Sequence, residues 1–319
     1  MKQIGAALIL LVALTIWSFA QSGSPSFGPR VVKGTLNTDL IDEASGLAAS
    51  RLNENVLWTH NDNGDSARIF AITTDAELLG IYNLKNNARN HDWEDIAIGP
   101  GPATGVSYIY IGDIGDNTAK RNTIQVYRIP EPVVTNASNP PNPNNAPSFN
   151  ITSNIEQFNF KYPDGKHNAE TLMVDPISKD LFIVAKTVTR PDSANIRRVY
   201  VCRAASLVTN QTITLQFVAS VVSKAPGSTS NRPTGGDISA DGSLIAMKTA
   251  GDLSSGCDVF IWPRSVGATV EQTMQANPLA PVLATKVPGE AITFAPDGSG
   301  YYAMPEGLRP LLYFVPRTN

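Results

Sequence analysis

The three histidines of this chain all lie in short polar motifs that are rich in Asp, Asn and Glu. Two of the motifs are near copies: residues 90–96 (NHDWEDI) match residues 166–172 (KHNAETL), with His, then Asp or Asn, then Glu at the same offsets. The third histidine, His60, opens the run HNDNGD directly after an apolar stretch. Imidazoles transfer protons near neutral pH, and both imidazoles and carboxylates bind metal ions. The motifs therefore predict one shared polar site, and their repetition predicts a repeat architecture.

The elements that must position these motifs are short apolar runs separated by Gly, Pro, Asn and Asp, a pattern typical of an all-β protein. Five units recur, and each contains at least three such runs. The first runs of the five units begin at Ser45, Glu94, Glu170, Gly236 and Glu290. A fourth run is visible in four units, for example at 78–82 and 213–217.

The last unit ends after its third run, and the run at 31–36, before the first unit, can supply the missing strand. An N-terminal strand that completes the C-terminal blade closes a ring and removes exposed sheet edges. The predicted fold is an all-β β-propeller of five four-stranded blades, a single domain at 30–319 with a Pro- and Asn-rich insertion at about 133–148. Six blades remain open if the second unit contains a degenerate one, and the irregular spacings also allow a β-sandwich or two domains.

The N-terminal residues 1–20 have the positive charge, apolar stretch and small-residue end of a signal peptide. A membrane anchor is the alternative, but the apolar run is shorter than the about 20 residues that a span needs. Three glycosylation sequons begin at Asn136, Asn150 and Asn210, and they favour a secreted, extracellular glycoprotein.

The net charge of -3 argues against a nucleic-acid partner, because the chain has no basic stripe to displace counterions from phosphates. The two cysteines, Cys202 and Cys257, could pair in an oxidising compartment, but one bridge is not a disulfide framework. The partner that these features favour is a small-molecule or anionic extracellular ligand.

Propeller topology predicts where the polar residues meet. The first strand of each blade lines the central channel, and the loops that enter these strands surround one face. The residues that begin the first runs should therefore converge near the axis. Second strands run in the opposite direction, so their ends return to the same mouth. The residues at or just after these ends are His60, Asp113, Lys186, Lys248 and Glu306.

Carboxylates crowded at one mouth repel one another unless a cation or a lysine compensates them. We therefore predict a bound divalent cation. Its candidate ligands are Glu94, Glu170, Glu290, Asp113, Asp62 and His60. Oxygen ligands favour calcium or magnesium, calcium first, whereas histidines would favour zinc or another transition metal. Candidate catalytic residues are His91, His167, Lys186 and Lys248. Further candidate binding residues are Asp95, Asp237, Trp93, Asp116 and Asn117.

Each of these residues also has a structural interpretation. The segment 113–117 can form a turn in which Asp and Asn side chains accept backbone amides. Trp93 can pack between blades. The lysines can be solvated charges at strand ends, and the paired His/Glu motifs can join neighbouring blades through hydrogen bonds.

Four strings of the chain resemble secreted propeller proteins of largely unassigned function, many of them bacterial. They are EASGLAAS at 43–50, LWTHNDNG at 57–64, DWEDIAIGPG at 92–101 and YIGDIGDN at 110–117. A looser likeness exists to propeller hydrolases of the phytase, strictosidine-synthase and paraoxonase type, several of which hold calcium or another metal in a central tunnel. That likeness implies channel carboxylates, and only Glu94, Glu170 and Glu290 map onto it.

The leading functional hypothesis is a secreted propeller whose metal-supported site hydrolyses an ester or phosphoester, with His91 or His167 as general base. The alternative is a non-enzymatic extracellular binding scaffold with a structural cation. A metal-dependent oxidoreductase is a third possibility. The chain has no Gly-x-Ser-x-Gly motif in a strand-to-helix setting and no phosphate-binding Gly-rich loop, which disfavours serine-triad hydrolysis and nucleotide chemistry.

Overall fold

The structure is a computed structural model that describes residues 24–186, 196–223, 232–250, 257–276, 278 and 288–319. The predicted signal peptide at 1–20 lies outside these residues. The described strands form five small sheets arranged in a ring, which confirms the five-bladed β-propeller. No helix among the described residues is both long enough and apolar enough to cross a membrane.

The blades follow one another along the chain. Strand β1 (Val31–Thr35) precedes them. Blade 1 consists of β2 (Ala44–Ala49), β3 (Val56–Asn61), β4 (Arg68–Thr73) and β5 (Leu78–Leu84). Blade 2 consists of β6 (Trp93–Pro100), β7 (Ser107–Asp113), β8 (Ile124–Pro130) and β10 (Glu156–Lys161). Blade 3 consists of β11 (Ala169–Val174), β12 (Leu181–Ala185), β13 (Ile196–Cys202) and β15 (Gln216–Val222).

The last two blades lie at the C-terminal end of the chain. Blade 4 contains, in the described residues, β16 (Pro233–Ile238), β17 (Leu244–Thr249) and β18 (Val259–Pro263). Blade 5 contains β19 (Ala291–Phe294), β20 (Gly300–Met304) and β21 (Leu311–Pro316). Strand β1 pairs antiparallel with β21, so the N-terminal segment closes the ring as the sequence predicts.

Two short strands pair in parallel with the outer edges of blades 1 and 2. Strand β9 (Ser148–Ile151), at the end of the Pro- and Asn-rich segment, joins β5 of blade 1. Strand β14 (Thr212–Thr214) joins β10 of blade 2, although the sequence placed it in a fourth run at 213–217 with the start of β15. Leu215, between the two, is buried in the core shared by blades 2 and 3, which separates the run into two strands. Both additions cover sheet edges that would otherwise be open to pairing.

Two short helical segments and one longer turn of helix complete the described structure. Short 3₁₀ helices span Pro143–Asn145, inside the insertion, and Ala204–Ser206. Helix α1 (Val270–Gln275) follows β18 and lies against β15 and β18. Its capping box joins Thr269 and Gln272, which satisfies the exposed amides of the first turn.

The hydrophobic core is divided among the joints between blades. Each of five clusters of buried side chains contains residues from two neighbouring blades, and together they include every joint of the ring. At the axis the first strands approach so closely that a Cβ on Gly46 would lie 2.6 Å from the backbone nitrogen of Ile96. Because burial of apolar surface at every joint closes the ring, the starts of the first strands are forced toward one another.

The two cysteines do not form the bridge that the sequence allowed. Cys202 ends β13 of blade 3, whereas Cys257 precedes β18 of blade 4; both are buried and neither forms a disulfide. Their thiol groups make contacts to backbone carbonyl oxygens of Arg203 and Gly289.

Candidate metal centre

Three glutamates from three different blades meet at the mouth of the channel. Glu94 lies in β6, Glu170 in β11 and Glu290 directly before β19, at the equivalent position of each blade. One carboxylate oxygen from each lies within 4.8 Å of the other two. Glu94 and Glu170 are each only 2% exposed, and Glu290 is partly exposed. The structure thus brings together residues that are 76 and 120 positions apart (170−94, 290−170).

A second group of three carboxylates shares Glu94. Its other members are Asp62, just after β3, and Asp92, just before β6, again with one oxygen each within 4.8 Å. The Asn63 side-chain amide donates to Asp92 Oδ1 over 3.1 Å and holds this carboxylate toward the mouth. Asp92 is absent from the ligands chosen on sequence. Its place directly after His91 in the repeated motif is the signal that could have identified it.

Two glutamates of the first group, Glu94 and Glu170, have raised pKa values. Burial raises the pKa of Glu170 to about 8, and the nearby Glu290 and Asp62 carboxylates add to the increase. Burial, together with Glu170 and Asp62, raises the pKa of Glu94 well above its usual value. Burial is the main cause of both shifts, and repulsion between the neighbouring carboxylates adds to it.

Carboxylates at the rim of the mouth show the same direction of pKa shift. Burial, with Asp92 and Glu290 among its neighbours, raises the pKa of Asp62 to about 6. Glu306, after β20, has its pKa raised to about 7 by partial burial and by Glu290 and Asp62. A cation placed among these groups would reverse the direction of each shift, because it favours the ionised form.

Lys186 supplies a positive charge to the first group. Its ammonium forms an ion pair with Glu170 Oε1, and its side chain is 15% exposed. Burial tends to lower the pKa of Lys186, but attraction from Glu170 and Glu290 outweighs it and the pKa is raised. The other Glu170 oxygen, Oε2, is buried and has no hydrogen-bond partner among the described residues. An unpartnered buried carboxylate oxygen costs free energy, and a cation at this point would remove that cost.

Gly115 makes room for the second group. A Cβ at this position would overlap Glu94 Oε1 and the Asp92 carboxylate. The Gly115 amide also donates to the Asp92 carbonyl over 3.1 Å. The absence of a side chain at Gly115 therefore lets the Asp92 and Glu94 side chains of blade 2 pack beside the loop.

The three histidines lie in three different environments, and neither carboxylate group contains one. His60 is fully buried, with Nδ1 2.9 Å from the Asn61 carbonyl oxygen and its ring edge-on to Trp93. Burial lowers the pKa of His60 to about 4, so the ring is neutral at pH 7. His91 is exposed and lies near Asp113.

His167 is buried between two tyrosines. Its Nε2 lies 3.0 Å from Asp164 Oδ1, and its ring stacks on Tyr200 and meets the edge of Tyr162. Asp164 also accepts hydrogen bonds from the Tyr200 hydroxyl and from Arg198. The repeated motif therefore places one histidine in solvent and its equivalent in the core.

The segment 113–117 forms a loop held by side chains. Asp113 is buried and forms an ion pair of 2.7 Å with Arg121; burial raises the pKa of Asp113, whereas Arg121 and, more weakly, His91 lower it. Asp116 accepts the backbone amides of Lys120 and Arg121, as a turn residue does. Asn117 accepts a bond of 3.0 Å from Asn168, which tethers the loop to blade 3.

Lys248 is fully buried beneath the segment that carries Glu290. Its ammonium donates to the carbonyl oxygens of Pro288, over 3.0 Å, and Ala291, over 3.5 Å. Burial lowers its pKa to about 8, against opposing effects of Cys257 and Glu290. A lysine with no exposed surface cannot contact an incoming ligand, so its contacts serve to hold the Glu290 segment.

The remaining candidate binding residues join blades or fill the core. Asp95 Oδ2 accepts the Leu172 amide of blade 3 over 2.8 Å, and Asp237 Oδ2 accepts the Phe294 amide of blade 5 over 2.8 Å. Burial raises the pKa of both aspartates. Trp93 is fully buried and donates through Nε1 to the Arg89 carbonyl oxygen, so its indole has no face open to a ligand.

The described acidic residues can thus hold a metal ion at the mouth of the channel. All members of the two groups offer carboxylate oxygens, a donor set that suits a hard cation such as calcium or magnesium. Comparison with models of known protein families and with curated proteins finds no match to this chain.

Proposed function

We propose that the channel mouth binds a divalent cation, calcium in the first place, and that the protein uses this centre extracellularly to hydrolyse an ester or phosphoester. The observation that carries the proposal is the meeting of three glutamates from three blades, one of which, Glu170, keeps a buried oxygen without a partner. A structural salt-bridge network would be expected to pair that oxygen. The donor set contains oxygen alone, which supports calcium over zinc.

The residues at the mouth have separate tasks in this proposal. Glu94, Glu170 and Glu290 hold the cation, with Asp62 and Asp92 as further oxygen donors on the Glu94 side. The cation supplies a Lewis acid that polarises the substrate oxygen. Lys186, partly exposed beside Glu170, orients the negative charge of the substrate. Lys248 holds the Glu290 segment through two backbone carbonyls.

Of the two histidines that the sequence offered as general base, His91 and His167, only His91 is suitably placed. The Nε2 of His167 faces Asp164, and the ring has no free surface toward solvent. His91 is exposed beside Asp113 and is the histidine that a substrate at the mouth could approach. We therefore assign the proton-accepting role to His91 alone.

A binding scaffold with a structural cation is the second candidate. It is favoured by the absence of any histidine from the two carboxylate groups in the described part of the chain. Both candidate functions include the bound cation, but only the hydrolase predicts turnover of a substrate.

The decisive experiment measures metal content and turnover in the same protein. Purified protein is stripped with EDTA, titrated calorimetrically with Ca²⁺ and Mg²⁺, and tested on nitrophenyl esters and phosphoesters. Glu94→Gln is compared with Glu77→Gln, which removes the same charge at an exposed position of blade 1. We expect Ca²⁺ binding that Glu94→Gln abolishes and Glu77→Gln preserves, with turnover that follows the metal.

Each negative outcome has one meaning. Absence of binding of either ion, or equal affinity in Glu94→Gln and wild type, would refute the centre itself. Calcium binding with no turnover on the whole panel would refute hydrolysis and leave the scaffold. Full activity in His91→Ala would remove the base from the proposal while the metal centre stands.

A further inference from the structure

A cavity of about 450 Å³ lies on the face opposite the acidic mouth, between blades 1 and 5. It is bounded by the turn between β2 and β3 and by the turn between β19 and β20. Since β2 and β19 both begin at the acidic mouth, the turns at their far ends lie at the other end of the channel. The cavity is therefore separate from the glutamates, and its volume lies in the range of small-molecule sites.

Arg51 provides the main positive charge of this cavity. Unlike Lys248, Arg51 is partly exposed as a residue, but its Nη1 atom is buried and has no hydrogen-bond partner among the described residues. Other described arginines behave differently, because their guanidinium groups form ion pairs with carboxylates. These arginines are Arg68, Arg121, Arg128, Arg198, Arg203, Arg264 and Arg309. A buried guanidinium donor without a partner costs free energy that an incoming oxyanion can recover.

Two buried carboxylates near Arg51, Glu131 and Asp237, accept hydrogen bonds from other groups. Glu131, directly after β8 of blade 2, accepts hydrogen bonds from the Ser50 hydroxyl, the Trp58 indole and the Arg51 backbone amide. Asp237, whose pKa is lowered by Arg51 but is raised overall by burial, accepts the backbone amides of Ile238 and Phe294. Glu131 therefore holds the turn, whereas Asp237 attracts the Arg51 guanidinium electrostatically without a hydrogen bond to its Nη1.

The turn that carries Arg51 is held in place before any ligand arrives. The Ser50 amide donates to the Val56 carbonyl over 2.9 Å, and the Asn53 amide donates to Ser50 Oγ over 2.7 Å. Asn53 also donates through its side chain to the Pro132 carbonyl over 2.9 Å. A fixed turn loses little conformational entropy on binding, which favours a ligand that contacts it.

The other lining residues restrict the ligand. Glu54 and Asp297 place negative charge at the cavity, so they repel a ligand with two or more negative charges more strongly than one with a single charge. Leu52, Pro296 and Tyr302 supply apolar surface beside Arg51. The lining thus combines one cationic hydrogen-bond donor with an apolar wall and two acidic side chains.

We propose that this cavity binds a small organic monocarboxylate, with the carboxylate on the Arg51 guanidinium and the apolar body against Pro296 and Tyr302. The site is independent of the cation at the opposite mouth. Carboxylate is the matching group because its two oxygens fit the planar fork of a guanidinium and it carries a single charge.

The test uses benzoate as the probe, with benzamide as its neutral analogue and inorganic phosphate as a multiply charged anion. Binding is measured calorimetrically on the full chain, with and without EDTA. Arg51→Met keeps an unbranched apolar stem and removes the guanidinium with its charge. Arg309→Met removes the same charge from an exposed ion pair with Asp39 and is the matched control. Thermal unfolding of each variant verifies the fold.

We expect one benzoate per chain, binding that is at least about tenfold weaker in Arg51→Met, and no change in Arg309→Met or with EDTA. Benzamide and phosphate should bind more weakly than benzoate. Equal benzoate affinity in Arg51→Met, no benzoate binding to the wild type, tighter binding of phosphate, or a requirement for Ca²⁺ would each overturn the proposal. These outcomes do not depend on whether the acidic mouth holds a cation.

Discussion

The two copies of the His-x-x-Glu motif place their glutamates in the same location but their histidines in different environments. Glu94 and Glu170 both reach the axis and lie in the same group of carboxylates. Their companions do not correspond, because His91 is exposed whereas His167 is buried beside Asp164 and Tyr200. The glutamates belong to the first strands, whose positions the ring fixes. The histidines belong to the entering loops, whose positions depend on the neighbouring side chains.

The comparison also holds for the residues that follow each histidine. Asp92 joins Asp62 and Glu94 at the mouth. Its equivalent, Asn168, accepts the Asp116 amide over 2.7 Å and donates to Asn117, so it joins blades 2 and 3. One copy of the motif therefore supplies an additional carboxylate and the other supplies a structural tether.

The largest effect should come from the position at which the copies agree. Removal of even an outer partner of a metal site commonly costs about 10–100-fold in affinity, so loss of the direct ligand in Glu94→Gln should weaken Ca²⁺ binding by at least about 100-fold. Glu170→Gln should act in the same direction. Titration calorimetry checks this, and a loss in either variant no larger than that of Glu77→Gln would contradict the shared role of the two glutamates.

The next effect should separate the two histidines. His167→Ala removes the hydrogen bond to Asp164 and leaves a cavity between Tyr162 and Tyr200, so the free energy of unfolding should fall by about 2–4 kcal/mol. His91→Ala, at an exposed position, should change it by less than about 0.5 kcal/mol. Urea denaturation of both variants measures the difference. Equal losses would show that the two copies are structurally equivalent after all.

The stability of the cation-free protein should depend on pH, because carboxylates at the mouth have raised pKa values in the folded state. Folding raises the pKa of Glu170 from 4.5 to about 8 and that of Asp62 from 3.8 to about 6. Groups with raised pKa values contribute stability at low pH and lose it as the pH rises through the folded values. Cation-free protein should therefore become less stable between pH 5 and pH 8.

Calcium should oppose this trend, because it binds the ionised carboxylates. The measurement is the unfolding temperature across this pH range in EDTA and in excess Ca²⁺. A cation-free protein that is more stable at pH 8 than at pH 5 would show that the mouth carboxylates are neutralised within the chain.

The smallest effect should come from converting one copy toward the other. Asp92→Asn matches the residue of the second motif and removes one charge from the group on the Glu94 side. Ca²⁺ affinity should fall by about tenfold or less, since fewer ligand charges weaken calcium sites, and stability should be unchanged. Ca²⁺ titration and thermal unfolding check both parts. A loss as large as that of Glu94→Gln would mean that Asp92 is a principal ligand.

The sequence alone predicted the number of blades and the meeting of three glutamates at the axis. The apolar runs recur in each unit, and a residue at the start of a first strand lies near the axis of a propeller. Glu94, Glu170 and Glu290 could be grouped for this reason. The run at 213–217 was wrongly predicted as one strand of one blade, because its pattern does not reveal that Leu215 enters the core between two blades.

The amino-acid sequence by itself determined the ring, because hydrophobic periodicity sets which strands form and closure of the sheet edges sets their number. The tertiary structure alone decided the environment of each loop residue. The burial of His167 between tyrosines, the pairing of Lys186 with Glu170 and the unpartnered Arg51 nitrogen all depend on contacts between blades. Burial and charge at such contacts come from residues far apart in the chain, and a local pattern carries no record of them.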